Sequence, residues 1–303
     1  MRTQIQIDTE GAVSRPEDMT PVQERGGLYI KREDLFRAPS GANGSKLRQG
    51  HMILREAQRN GATSVVSASS VISPQHIISA TVCAELGLPL RLVIGATTPE
   101  KAIPVHASLR AAVELGAQVE AIKVGFNPAL QRRAAEIVRD TPGAFHFPYG
   151  IAVPESSSVE QLRDLTEAGA RQVENLPDEI RTLVIPFGSG NTAVGVLRGL
   201  LEYNAPALLE RVVLVGIGPD RVQFLANRLH RMGLSAEDLP LEHIPLHPWF
   251  AEYSDRMPGQ LEGIQLHPNY EGKIVRYLDA AEPEWWTRRD GSTAFWIVGG
   301  PLA

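Results

Sequence analysis

Between residues 63 and 140 the chain alternates short apolar runs with longer runs whose apolar residues recur at helical spacing. No other feature limits its fold as much. "TSVVSAS" (63–69), "LRLVIGA" (90–96) and "QVEAIKV" (118–124) read as buried strands. "SPQHIISATVCAELG" (73–87), "PVHASLRAAVELG" (104–116) and "NPALQRRAAEIVRD" (127–140) read as helices, the last with Pro128 in its first turn. Gly87 and Gly116 close the first two helices as left-handed caps. Strand–helix–strand units of this length imply a parallel sheet with right-handed crossovers. Farther on, "VEQLRDLTEAGARQVENL" (159–176) reads as helix, and "TLVIPFG" (182–188), "RVVLVGIG" (211–218) and "TAFWIVGG" (293–300) as strands. A helix is expected after the glycines that follow residue 187. The proline-, glycine- and serine-rich "TPGAFHFPYGIAVPESSS" (141–158) reads as a passage between domains, and residues 240–292 carry no assignable pattern.

The expectation is therefore an α/β chain of two lobes. A small α/β domain would span 49–149, and a large domain would combine 1–48 with 150–303. At 303 residues there is ample chain for proper cores. A net charge of −5 gives no global field for nucleic acid or an anionic membrane, though a local patch could still hold a nucleic-acid substrate. The start, "MRTQIQIDTEG", has no apolar signal region, and no run approaches the ~18 apolar residues of a membrane span. A cytoplasmic location is expected. The single cysteine, Cys83, lies in an apolar helical run, so it reads as a small buried hydrophobe.

Two glycine clusters carry the chemistry. "GANGSKLRQGH" (41–51) sets Lys46 in a glycine-rich turn that opens a helix. It is not a P-loop, because Leu47 stands where the hydroxyl residue must follow the lysine. "PFGSGNTAVG" (186–195) follows an apolar strand and opens a helix, so its N–H groups and the helix dipole suit an anion. Its spacing is not the dinucleotide fingerprint, and "GIGPDR" (216–221) lacks the third glycine as well. No G-x-S-x-G elbow or H-E-x-x-H helix is present. His243, His247 and His267 lack paired ligand spacing, so no metal is expected, and the Trp285–Trp286 doublet reads as packing. A lysine for an aldehyde and a cup for a phosphate together meet the two needs of pyridoxal phosphate.

With those features in hand, "YIKREDLFRAPSGANGSKLRQ" (29–49) resembles the K-R-E-D-L…G-G-N-K-x-R segment of fold type II pyridoxal-phosphate enzymes. The branch it is most similar to holds 1-aminocyclopropane-1-carboxylate deaminase and D-cysteine desulfhydrase. "TPV" (20–22), "VVSASSVISPQHIISATVCAELGL" (65–88), "GSGNTAVG" (188–195), "NYEGK" (269–273) and "FWIVGG" (295–300) fall in the family's order. The resemblance implies a two-lobed, three-layer αβα fold with mostly parallel sheets, like the tryptophan synthase β chain. It implies pyridoxal 5'-phosphate as cofactor, held by Lys46 as an internal aldimine, with the phosphate on Gly188, Ser189, Gly190, Asn191 and Thr192. Lys46, Ser73 and Tyr270 are the implied catalytic residues. Gln75 is expected to aid cofactor binding, and Ser73, Gln75, His76, Tyr270 and Phe295 to contact an amino-acid-type substrate, with no membrane partner and with the chain as a homodimer.

Departures from the family pattern bear on the reaction. Pro74 replaces the asparagine that meets the cofactor's phenolic oxygen, Phe295 replaces a tyrosine, and Val298 replaces a hydroxyl residue that contacts the pyridine nitrogen. The main expectation is a lyase or deaminase-like enzyme acting at Cα or Cβ of an amino acid. One alternative is a substrate tethered to something larger, such as an aminoacylated nucleobase in DNA modification, undergoing decarboxylation or elimination. The other is a degenerate family member that binds cofactor or serves a structural role.

Overall fold

A run of apolar residues buried on both faces needs helices above and below it, and this chain builds that arrangement twice. The computed structural model describes residues 10–203 and 205–300. In chain order its main elements are β1 (Val22–Arg25), β2 (Leu28–Arg32), α1 (Ser45–Arg59), β3 (Ser64–Ser69), α2 (Gln75–Leu86), β4 (Leu90–Gly95), α3 (Pro99–Ala102) and α4 (Ala107–Glu114). Then come β5 (Gln118–Ile122), α5 (Asn127–Asp140), β6 (Ala144–Phe147), α6 (Val159–Ala170), β7 (Thr182–Phe187), α7 (Asn191–Glu202), β8 (Arg211–Gly216) and α8 (Val222–Arg231). The last are β9 (Leu241–Pro245), the short pair β10 (Gln260–Leu261) and β11 (Ile264–Gln265), α9 (Glu271–Ala281), α10 (Glu284–Thr287) and β12 (Thr293–Ile297).

One compact unit takes the described residues up to Phe36 together with Thr166–Gly299. Its sheet runs β1-β2-β12-β7-β8-β9, with only the β1–β2 hairpin antiparallel. Residues alternate across it. Val184, Val213, Val215, Phe295 and Ile297 share a core with Ile274 and Leu278 of α9 and with Trp286. Their neighbours Leu183, Ile185, Val212 and Leu214 are also buried, as the two-sided strands of a parallel sheet must be.

The other unit is Arg37–Leu165 with Gly300. Its all-parallel sheet runs β5-β4-β3-β6. Leu130, Ala134 and Ile137 of α5 cover Val66, Ala68 and Val93 on one face, and α2 packs on β3 and β4. The boundary therefore differs from the expected 48/49 and 149/150. Helix α1 goes with the four-stranded sheet because it packs on α2 and β6, with Gly50 closing to 3.3 Å from Ile78 at its Cβ position. Gln49 Nε2 also donates to the Leu165 carbonyl at 3.1 Å.

The stretch expected as a passage holds β6, whose four residues pair with Ser64–Ser67 of β3. "AFHF" is too short, between Gly143 and Pro148, to show a period. Among the described residues no helix is long and apolar enough to cross a membrane.

Candidate active site

The four-stranded unit carries the lysine. Gly44 caps α1 at φ 85° and ψ −175°, a backbone state open to glycine. This turn sets Lys46, half-buried, in the first turn of α1. Asn43 braces the approach: its Nδ2 donates to the Gly41 carbonyl at 3.2 Å, and its Oδ1 accepts from the Gly300 N–H at 2.7 Å.

On the next crossover, half-buried Ser73 uses its Oγ to accept the Gln75 N–H at 3.2 Å. Its carbonyl accepts from Ser108 Oγ at 3.0 Å. Gln75, expected at cofactor and substrate, is turned inward instead. Its Nε2 donates to Ser67 Oγ at 3.0 Å and faces the Pro148 carbonyl at 3.4 Å, while its Oε1 accepts the Gly150 N–H at 2.8 Å. That amide cross-links α2 to the turn after β6.

His76, expected at the substrate, is fully buried. Its Nε2 donates to the Ser70 carbonyl at 2.9 Å, leaving Nδ1 as the acceptor near Ser69 Oγ. Burial pushes it down to about 4, so the ring is neutral at physiological pH. The physical reason for both placements is the same: Pro74 is the helix N-cap, and the two residues after it enter a helix whose start is packed into the core.

The six-stranded unit carries the cup. Gly188 follows β7, and Gly190 caps α7 in the left-handed region at φ 86°. A Cβ there would stand 3.0 Å from Phe224. The first-turn N–H groups of α7, from Asn191 onward, have no partner within the helix, and Asn191 Nδ2 donates to Ser189 Oγ at 3.2 Å. This is a glycine-built cradle at the positive end of a 12-residue helix, as a phosphate requires.

Strands β7 and β12 are neighbours and parallel, so the residue that follows each leaves from the same sheet edge. Val298 and Gly299 follow β12, and both of their N–H groups donate to Glu271 Oε1, at 2.8 and 3.1 Å. Glu271 is fully buried, and its Oε2 has no hydrogen-bond partner among the described residues. Burial pushes its carboxyl up to about 8, so it is an acid rather than a carboxylate at neutral pH. Sequence reasoning passed over Glu271, although the signal was present: a carboxylate directly after Tyr270 in "NYEGK".

Tyr270 itself caps α9 and stacks on His267 with centroids 4.3 Å apart. Phe295, expected at the substrate, is buried in the core against Trp286. Strand alternation places it on the core face with Val184 and Ile297.

Elsewhere, Lys273 Nζ is tied to the carbonyls of Glu252 and Tyr253, so it holds a loop. Cys83 is buried, and burial pushes its thiol up to about 12, which makes it inert. Among the described residues no three His, Cys, Asp or Glu side chains gather as a metal site. The groups present fit pyridoxal phosphate: a half-buried lysine in the first turn of a helix, a glycine cradle at a helix start, and a buried neutral acid with one oxygen lacking a hydrogen-bond partner among the described residues.

Comparison with known proteins agrees with this chemistry. Residues 13–251 match the family profile described as "Pyridoxal-phosphate dependent enzyme". An "O-seryl-dTMP PLP-dependent decarboxylase" of Salmonella phage ViI is 28% identical, over 90% of this chain and 78% of its own length. A D-cysteine desulfhydrase of Serratia proteamaculans is 25% identical, over 98% of this chain and 94% of its own. A solved structure described as an ACC deaminase homologue superposes with a TM-score of 0.70 at 21% identity, covering 96% of this chain and 92% of that one.

Proposed function

The chain belongs to the pyridoxal-phosphate dependent enzyme family, and on that premise we propose that it removes the α-carboxylate from an amino acid carried on a nucleotide. The lyase and deaminase character of the family, and its use of pyridoxal phosphate, apply to this chain directly. The carrying observation for the finer reading is at the start of α2. Gln75 and His76 are both consumed by bonds inside their own unit, so neither joins Ser73 in gripping a carboxylate. A site that grips the carboxylate stabilises the ground state, whereas one that leaves it poorly solvated favours its departure as carbon dioxide. The similarity to a decarboxylase of O-seryl-dTMP supports the same reading.

When bound, the cofactor supplies an aldehyde for the substrate amine and a ring that accepts the electron pair released at Cα. Lys46 would hold that aldehyde between turnovers and afterwards return a proton to Cα. The backbone N–H groups and hydroxyls of Gly188, Ser189, Gly190, Asn191 and Thr192 would bind the phosphate. Glu271 would present its open oxygen to the pyridine nitrogen, taking over the part expected of a hydroxyl at Val298. Ser73 would orient the substrate, and Tyr270 would stand by its reacting bond. A homodimer in the cytoplasm is part of this reading by family analogy alone.

Incubation of the cofactor-loaded protein with O-seryl-dTMP, serine, D-cysteine and 1-aminocyclopropane-1-carboxylate tests the proposal. The expected result is carbon dioxide release from the nucleotide-linked amino acid. Release of ammonia or sulfide from a free amino acid, with the nucleotide left intact, would overturn it.

A further inference from the structure

Ligands of parallel α/β sheets sit outside the carboxyl ends of the strands, and at that edge the four-stranded unit is unusual. Its four most exposed large apolar side chains are Ile72, Val105, Phe126 and Tyr149, at 72, 73, 77 and 51%. Ile72 follows β3, Val105 follows β4, Phe126 follows β5 and Tyr149 follows β6. Every strand of the sheet thus sends one to the same edge. Among the described residues, none of the unit's exposed large apolar side chains lies on the loops at the opposite edge.

The four loops are tied together. Ser108 Oγ, three residues after Val105, donates to the Ser73 carbonyl beside Ile72. The Gly150 N–H beside Tyr149 donates to Gln75 Oε1. The loop before Phe126 folds onto the end of β4, where a Cβ on Gly95 would stand 2.5 Å from Gly125. With adjacent strands about 4.8 Å apart, the edge is about 14 Å long.

Its charge is locally positive although the chain carries −5 overall. Lys101 in α3 and Lys123 in the loop after β5 are exposed and join no ion pair among the described residues. Arg110 stands in α4 nearby, and Glu100 is the acid among them. Exposed aromatic and apolar groups interleaved with free cations suit stacked bases and their phosphates.

We propose that this edge is a docking surface for single-stranded polynucleotide, holding the nucleotides that flank the one bearing the amino acid. The inference rests on the nucleotide-linked substrate proposed above. Phe126 and Tyr149 offer faces for bases, and Lys101 and Lys123 each take a phosphate. The edge is continuous with Ser73, so a docked strand leads to the substrate contact.

Fluorescence anisotropy of the cofactor-loaded protein with an unmodified oligothymidylate, between about 50 and about 200 mM salt, tests the surface. The expected result is salt-dependent binding whose log–log slope shrinks by about 1.4 in the K101Q/K123Q double variant, at about 0.7 per phosphate lost. Phe126→Ala should weaken binding about tenfold. Neither variant should alter the visible band of the bound cofactor, which serves as the folding control. Absence of oligonucleotide binding, or an unchanged slope in K101Q/K123Q, overturns the proposal. Sedimentation as a dimer that Phe126→Ser dissociates also overturns it, by making the patch a self-association face. Turnover of O-seryl-dTMP without oligonucleotide affinity sinks the surface and leaves the reaction standing. Oligonucleotide binding without that turnover supports the surface and sinks the reaction.

Discussion

At the scale of single residues, the protonation states of two buried groups decide most. Glu271 is fully buried and its Oε2 has no hydrogen-bond partner among the described residues, so it is comfortable in the fold only as an acid. Its carboxyl is raised from 4.5 to about 8, so the folded apo-protein holds a proton that the unfolded chain releases above 4.5. Stability therefore falls as pH rises between those values, by at most about 1.4 kcal/mol per pH unit. Glu271→Gln should flatten this alkaline limb in urea titrations at stepped pH, and an unchanged limb would contradict the assignment.

His76 acts at the other end. Lowered from 6.5 to about 4, it is neutral in the fold while the unfolded chain takes up a proton. Stability should drop as pH falls from 6.5 toward 4, and His76→Gln should lessen that drop. For Lys46 the expectation is spectroscopic: Lys46→Ala should take up pyridoxal phosphate without the visible band that wild type develops. A wild-type-like band in that variant would place the linkage elsewhere.

At the scale of elements, α7 links cup and core. Its start depends on Gly190, where φ 86° and a Phe224 carbon 3.0 Å from any Cβ leave no room for a side chain. Gly190→Ala should cost about 1–2 kcal/mol of stability and weaken cofactor binding, read by thermal unfolding and by titration of the band. Farther along, Arg198 is buried between two helices, with Nε on Glu202 and Nη2 on Glu167, both at 2.7 Å, and Nη1 on Thr166 Oγ1 at 3.0 Å. Arg198→Ala removes a buried guanidinium from Glu202 and Glu167, which are 18 and 38% exposed, and should cost about 1–2 kcal/mol in urea unfolding. A loss under about 1 kcal/mol would mean that solvent replaces the ion pairs. Strands β3, β4, β5, β7 and β8 and helices α2 and α5 fall within two residues of their sequence positions, whereas α4 starts three residues late, α6 ends six residues early and α3 was not expected. The hairpin β1–β2, strand β6 and helices α8 and α9 were not legible. They are short or flanked by mixed composition, and they are held by pairing with distant partners.

At the scale of the whole chain, two compact units each have their own sheet and core. Pyridoxal phosphate binds only the folded state, so at about 100 times its Kd it should add about 2.7 kcal/mol to wild-type stability. The gain, read as a rise in Tm, should be smaller in Lys46→Ala. By itself the sequence determined the fold class and the cofactor and pointed to the proposed lysine and phosphate cup, since these depend on local signals: periodicity, capping glycines and a helix start behind a turn. Tertiary structure decided which side chains remain free for chemistry. Gln75, His76 and Phe295 match the pattern, yet packing buries all three, while Glu271 becomes an acid because burial outweighs the Val298 and Gly299 N–H groups that favour its charge. Burial and hydrogen-bond closure depend on residues far apart in sequence, and they set both accessibility and protonation.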